Sequence, residues 1–145
     1  YNDAYPRMAE LAEDWLARYP SIQMVLDVHR DSLETDDGAQ LALRADVDGE
    51  ACAKLLLVMG SNGSGLEHPG WRQNLANAAR LQALCEQRAP GFMRDLLLRA
   101  SRYNQHLTPR SMLLEVGTAG NSLEEALRSA DIFSQVLADC LLGKA

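Results

Sequence analysis

Apolar positions recur at spacings of three and four along Met8, Leu11, Trp15 and Tyr19, between an opening Pro6 and a closing Pro20. That stripe predicts an amphipathic helix with one face packed on a core, stopped by the proline. The next segment, Ile22-Gln23-Met24-Val25-Leu26-Asp27-Val28-His29, is nearly continuous and β-prone. Such a run suits a strand covered on both faces, as in a parallel sheet. Leu33 to Gly38 is acidic and loop-like, and Leu41 to Val47 alternates. Asp48-Gly49 then gives a type I′ hairpin signal before Ala51 to Met59, whose segment Leu55 to Met59 reads as fully buried.

Trp71 to about Gln87 has a helical period with Trp71, Leu75, Ala78, Leu81 and Cys85 inward, and Pro90-Gly91 ends it. Phe92 to Arg102 is ambiguous between strand and loop. Met112 to Gly117 reads as another buried strand. Asn121 or Ser122 then caps a long helix, with Glu124 or Glu125 completing a capping box. Its expected inner face is Leu123, Leu127, Ala130, Phe133, Leu137 and Cys140. Strands alternating with helices, interrupted by one hairpin, predict an α/β layered domain with a mixed, mainly parallel sheet flanked by helices. At 145 residues, one domain over 1–145 is expected.

Composition changes this picture little. The net charge of −6, from 20 acidic and 14 basic residues, disfavours nucleic acid as a partner. Cys52, Cys85 and Cys140 form no C-x-x-C pair and sit among apolar residues, so buried structural thiols are expected. No apolar stretch is long enough to cross a bilayer. Gly60 to Gly65 lacks the lysine and spacing of a phosphate-binding loop. There is neither a G-x-S-x-G elbow nor an H-E-x-x-H helix.

Ligands of open α/β sheets bind beyond the carboxyl ends of strands. Two reactive side chains are expected there. His29 closes the first run, and Glu115 sits between Leu114 and Val116 before Gly117. A carboxylate inside an apolar strand is costly unless paired, solvated in a cleft or close to a metal. Each has a plainer reading as well: His29 as a hydrogen-bonded structural residue, and Glu115 as the partner of Arg30 or Arg102. Asp27, two residues before His29 on the same strand face, either orients the imidazole or caps a loop.

The stretches Leu26-Asp27-Val28-His29-Arg30-Asp31, His68 to Leu75, Arg102 to Leu107, and Leu113-Leu114-Glu115-Val116-Gly117 through Ala126 occur in this order in the stage II sporulation protein P family, which the chain resembles over almost its whole length. The opening from Tyr1-Asn2 to Arg7 resembles the segment before that family's first long helix. The resemblance implies a zinc-dependent N-acetylmuramoyl-L-alanine amidase that degrades peptidoglycan during endospore engulfment, with endopeptidase action on cross-links also attributed to the family. It implies a zinc amidase-like, phosphorylase/hydrolase-like fold that here lacks its first strand or strands.

Carried over by position, His29 matches a zinc ligand and Glu115 the acid/base. The family's other ligands are expected upstream of Tyr1, so the chain is expected to hold zinc weakly. Arg30, His68, Asn104 and Gln105 are the candidate substrate-binding residues, although His68 and Trp71 serve equally to organise the start of their helix. His106 lies in a loop that gives it no support as a ligand. Peptidoglycan is the implied partner, with a glycan-cleaving sporulation enzyme and membrane proteins implied only by the family. So is an extracytoplasmic location in the cell envelope, anchored through a segment not in this sequence. Two alternatives stay open: a zinc carboxypeptidase-like peptide hydrolase, and an inactive wall-binding or partner-docking module of the same fold.

Overall fold

The computed structural model describes residues 3–144, so Tyr1 and Asn2 of the opening segment lie outside the described residues. In chain order the elements are α1 (Ala4–Arg18), β1 (Leu26–Asp31), β2 (Arg44–Val47), β3 (Glu50–Ala53), β4 (Leu55–Gly60), α2 (Trp71–Arg88), β5 (Leu97–Arg99), β6 (Met112–Thr118) and α3 (Leu123–Leu141). Four strands form one sheet in the order β1-β6-β4-β5, and β2-β3 is a separate hairpin. The pairs β1–β6 and β4–β5 are parallel, and β4–β6 is antiparallel. The architecture is therefore α/β with a mixed sheet flanked by helices.

Period-two alternation divides the sheet residues between two different environments. Leu55, Leu57 and Met59 of β4 and Met112, Leu114 and Val116 of β6 pack with Ala78, Leu81 and Cys85 of α2 and Phe133 and Val136 of α3. Each fully buried side chain of this kind contributes about 1.5–3 kcal/mol. The opposite face carries Leu56, Val58 and Leu113, packed with Leu97 and Tyr103 rather than with α2 or α3. That thinner cover is where the sheet opens to solvent.

The β2–β3 turn is of the expected type, with both Asp48 (φ 55°) and Gly49 (φ 85°) in the left-handed region. The run from Ala51 to Met59 is not one strand, however. It breaks at Lys54, where β3 leaves the hairpin and β4 enters the main sheet. Cys52 and Cys85 are buried and Cys140 is half-buried, all three free. Burial pushes the Cys85 thiol up to about 12, so it is inert as a nucleophile.

Two helix faces differ from expectation. Met8, Leu11, Trp15 and Tyr19 are all about half exposed, and α1 contains no buried residue. The helix side of the sheet is already filled by α2 and α3, so α1 rests at the margin. There Met8 and Ala12 lie beside Val25, Leu26, Tyr103 and Leu107. In α3, Leu123 and Leu127 face solvent, while Glu125, Ser129, Phe133 and Val136 are buried. Polar capping sets this phase. Ser122 accepts from the Glu125 N–H, and the Glu125 carboxylate accepts from the Ser122 N–H at 3.0 Å, from Asn121 Nδ2 at 2.9 Å and from Arg44.

Those hydrogen bonds hold the Glu125 carboxyl down at about 2, the Arg44 bond contributing most. A carboxylate depressed in the folded state contributes stability above its unfolded value near 4.3, and that contribution is lost as pH falls through about 2. Glu125→Gln is expected to lower the unfolding free energy at pH 7 by about 2–3 kcal/mol. The deficit should shrink between pH 4 and 2 when native and variant are followed by chemical denaturation.

Candidate active site

β1 and β6 are parallel neighbours, and their register pairs His29 directly with Glu115. Adjacent strands lie about 4.8 Å apart, so the two side chains the sequence singles out share one sheet face at one end of the sheet. Beyond them the register slips. His29 faces Glu115 but Asp31 faces Thr118, so β6 carries one extra residue at Val116–Gly117. Gly117 adopts φ +72°, and an added Cβ there would lie 2.7 Å from that of Ala53. The glycine after the glutamate is thus a requirement of the bulge that turns β6 toward α3.

Asp27, His29 and Asp31 alternate onto the same face of β1. Asp27 Oδ1 lies 2.9 Å from His29 Nε2. A neutral imidazole that donates Nε2–H to Asp27 keeps its lone pair on Nδ1. The Tyr5 ring, from the first turn of α1, stacks over His29 with centroids 6.4 Å apart. On the other side, Arg94 Nη1 contacts Asp31 Oδ2 at 2.5 Å. Tyr5, His29, Asp31 and Arg94 line an open cleft of about 400 Å³ with Glu115, Arg99 and Tyr103.

Glu115 is the unusual group of the cleft. It is half-buried, and its Oε2 is enclosed with no hydrogen-bond partner. Burial pushes the carboxyl pKa up and the nearby Asp31 charge adds to this, against the opposing pull of His29 and Arg94. An unpartnered buried acceptor costs about 1–3 kcal/mol. Carboxyls held in this way are candidates for proton transfer.

The other sequence candidates lie elsewhere. Arg30 spends its guanidinium on the β6–α3 connection, donating Nε–H to the Thr118 carbonyl at 2.8 Å and a second nitrogen to the Asn121 carbonyl. Gln105 is fully buried below the end of β4. Its oxygen accepts from the Gly60 N–H at 2.9 Å and its nitrogen donates to the Val58 carbonyl at 2.8 Å, which leaves neither end of the amide for a ligand. Asn104 donates to the Tyr5 carbonyl at 2.8 Å and so holds the α1 turn that carries Tyr5 over His29. Tyr103 and Asn104 are both left-handed (φ 49° and 57°), a strained pair beside the cleft. His68 is 2 % exposed and away from the cleft lining. Burial, followed by His106 and Arg102, pushes its pKa down. Its carbonyl accepts the Trp71 N–H at 3.2 Å, at the start of α2.

Arg94, Arg99, Tyr5 and Tyr103 are cleft residues that sequence reasoning did not select. Asp31 had a usable signal, since period two places it on the His29 face. The arginines come from a stretch with no clear period.

A catalytic zinc takes three protein ligands and leaves a fourth position for water. Among the described residues no three His, Cys, Asp or Glu side chains gather to hold a metal ion. Through Nδ1, His29 is suited as one ligand, and Asp27 behind it fits the usual carboxylate support of such a histidine. This chain's residues thus fit one position of a zinc site, not a complete one.

The Stage II sporulation protein P sequence model matches residues 1–138. Stage II sporulation protein P of Bacillus subtilis (strain 168) is 31% identical over 148 residues, covering 96% of this chain and 34% of the relative. The chain thus spans about a third of that relative's length. No solved structure matches it. With a family match that runs across nearly every element of the fold, from α1 into α3, the chain belongs to the Stage II sporulation protein P family.

Proposed function

We propose that the chain is the catalytic part of a sporulation peptidoglycan hydrolase that cleaves the N-acetylmuramoyl–L-alanine amide. In this reading His29 is a zinc ligand and Glu115 the general base. The observation that carries it is the enclosed, unpartnered Oε2 of Glu115 on the strand position next to His29. A structural carboxylate would have found a partner, as Glu125 does. The mixed sheet with these two groups on neighbouring strands is read as the zinc amidase-like type.

Bound zinc would polarise the scissile carbonyl and lower the pKa of the attacking water. Glu115 takes the proton from that water and returns it to the departing L-alanine nitrogen, a role suited to a carboxyl whose pKa is raised by burial. Asp27 fixes the tautomer of His29. Arg94 holds Asp31 by ion pairing, which keeps that carboxylate from competing for the proton. Tyr5 and Tyr103, in ring contact with each other, form an aromatic side of the cleft. The remaining zinc ligands are required from outside the residues described here.

The same chemistry extends to peptide cross-links, so endopeptidase action and a role in engulfment belong to this proposal. Its substrate lies outside the cytoplasm, in the cell envelope. Partnership with a glycan-cleaving enzyme and with membrane proteins is carried only by the family. Among the described residues no helix is long and apolar enough to cross a membrane.

The proposal is tested with the protein in its full natural length, stripped with a chelator and offered purified peptidoglycan. Release of soluble stem peptides should cease and should return on addition of zinc. Release that persists undiminished in chelator would exclude the zinc role, and no release under any condition would favour a wall-binding module.

A further inference from the structure

We propose that Arg99 receives a substrate carboxylate, so that the site prefers stem peptides with a free carboxylate on the residue next to the cleaved L-alanine. The inference rests on the amidase reading above and names the feature of the substrate that the same cleft selects.

The charges of the cleft are unevenly matched. Asp31 is joined to Arg94 and Asp27 to His29, while Glu115 is enclosed. Arg99 lines the same cleft and is exposed, and its guanidinium has neither an ion pair nor a hydrogen bond among the described residues. Its backbone, by contrast, is pinned. The Arg99 carbonyl accepts the Ser61 hydroxyl at 2.9 Å, and the next carbonyl, that of Ala100, accepts the Ser64 N–H at 3.1 Å. The fixed backbone sets this free guanidinium in the cleft lining, where it is available to an anion. Arginine's planar fork suits a carboxylate better than a lysine does.

Register gives the spacing. Glu115 faces Leu56 on β4, and Gly60, four residues further along β4, faces Arg99 on β5. Leu97 and Arg99 alternate onto the face that holds Val58 and Glu115. Two strand spacings across (about 10 Å) and four residues along (about 13 Å) place the two backbones about 16 Å apart. Both side chains line the cleft between those backbones. Strand side chains stand roughly perpendicular to the sheet, so both groups rise from this one face into the same cleft, with backbones about five extended residues apart. A stem peptide running from Glu115 along β4 passes Arg99, and because L-alanine has both its ends in amide bonds, the first free carboxylate such a peptide can present is on the next residue.

The test uses the full-length protein and two disaccharide-peptides that differ only in the residue after L-alanine, one with a free carboxylate there and one with that group amidated. The native protein should cleave the acid with a roughly 10-fold lower KM and a similar kcat, the size of a single partly exposed charge-assisted contact. Arg99→Gln should raise KM for the acid to that of the amide and leave the amide unchanged, while Arg99→Lys keeps part of the preference. The preference should narrow at high salt. Equal effects of Arg99→Gln on both compounds, or none on either, would overturn the assignment.

Binding to the Glu115→Gln variant separates the two readings. If the native protein cleaves neither compound but the variant still binds the acid more tightly through Arg99, the receptor stands and the amidase reading fails. If both compounds are cleaved alike, only the receptor fails. If neither is cleaved and both bind alike, both fail.

Discussion

Glu115→Gln is expected to reduce amide cleavage by the full-length protein by roughly 10²- to 10⁴-fold, the range of a lost general base, without unfolding it. Glutamine preserves the shape of the side chain in β6 but cannot accept the proton of the attacking water. The stability effect runs the other way. The native carboxylate is partly desolvated and its Oε2 lacks a partner. Replacing it with a neutral amide is therefore expected to leave the unfolding free energy unchanged or raise it by about 1 kcal/mol.

The pH dependence follows from the direction of the shift. An acid whose folded pKa is raised binds its proton more tightly in the native state. Its cost to stability is absent below the unfolded value near 4.3 and appears as pH rises through the folded value. The stability advantage of Glu115→Gln should thus appear at neutral pH and vanish in acid. Denaturation curves at pH 4 and pH 7 check this, and a variant destabilised at both would instead give Glu115 a structural role.

His29→Ala is expected to abolish zinc-dependent cleavage, and it separates the two residues by what each loses. In the full-length protein, Glu115→Gln should still bind zinc, while His29→Ala should lose tight binding. Asp27→Asn should fall between them. It keeps the imidazole but removes the carboxylate 2.9 Å from Nε2, and loss of such support typically costs about 10–100-fold in metal affinity. Because the His29 side chain is well exposed at the cleft, the alanine variant should fold normally. Metal titration with a competing chelator distinguishes the three. Unchanged zinc affinity in His29→Ala would remove it from the ligand set.

The central strands were legible in the sequence because their signals are local and strong. Leu55 to Met59 and Met112 to Gly117 are apolar runs that can only be buried, and Asp48-Gly49 fixes its own turn. The pairing of His29 with Glu115 was legible as two polar residues in apolar strands, although only the register shows that those strands are neighbours. The helix faces were harder to read. In α3 a polar cluster of Arg44, Asn121 and Glu125 sets the rotation, and a hydrophobic period cannot register it. In α1 the apolar stripe was real, but α2 and α3 already fill the helix side of the sheet and α1 rests at its margin.

Gln105 illustrates the limit for site residues. A polar side chain in a loop looks the same in sequence whether it grasps a ligand or ties down Gly60 and Val58. Arg94 and Arg99 escaped notice for the converse reason. Arg99 ends a strand only three residues long and Arg94 lies in the irregular segment before it, so neither belongs to a period long enough to read, yet both reach the cleft.

The most direct measurement is product analysis after digestion of purified peptidoglycan in oxygen-18 water by the full-length native protein and its Glu115→Gln variant. The expected native products are stem peptides with a free L-alanine amino end and glycan whose lactyl carboxyl carries one oxygen-18. The variant should yield neither above background. Equal yields from the variant, or native cleavage with the muramoyl–alanine amide left whole, would overturn the assignment of Glu115 and His29 to this reaction.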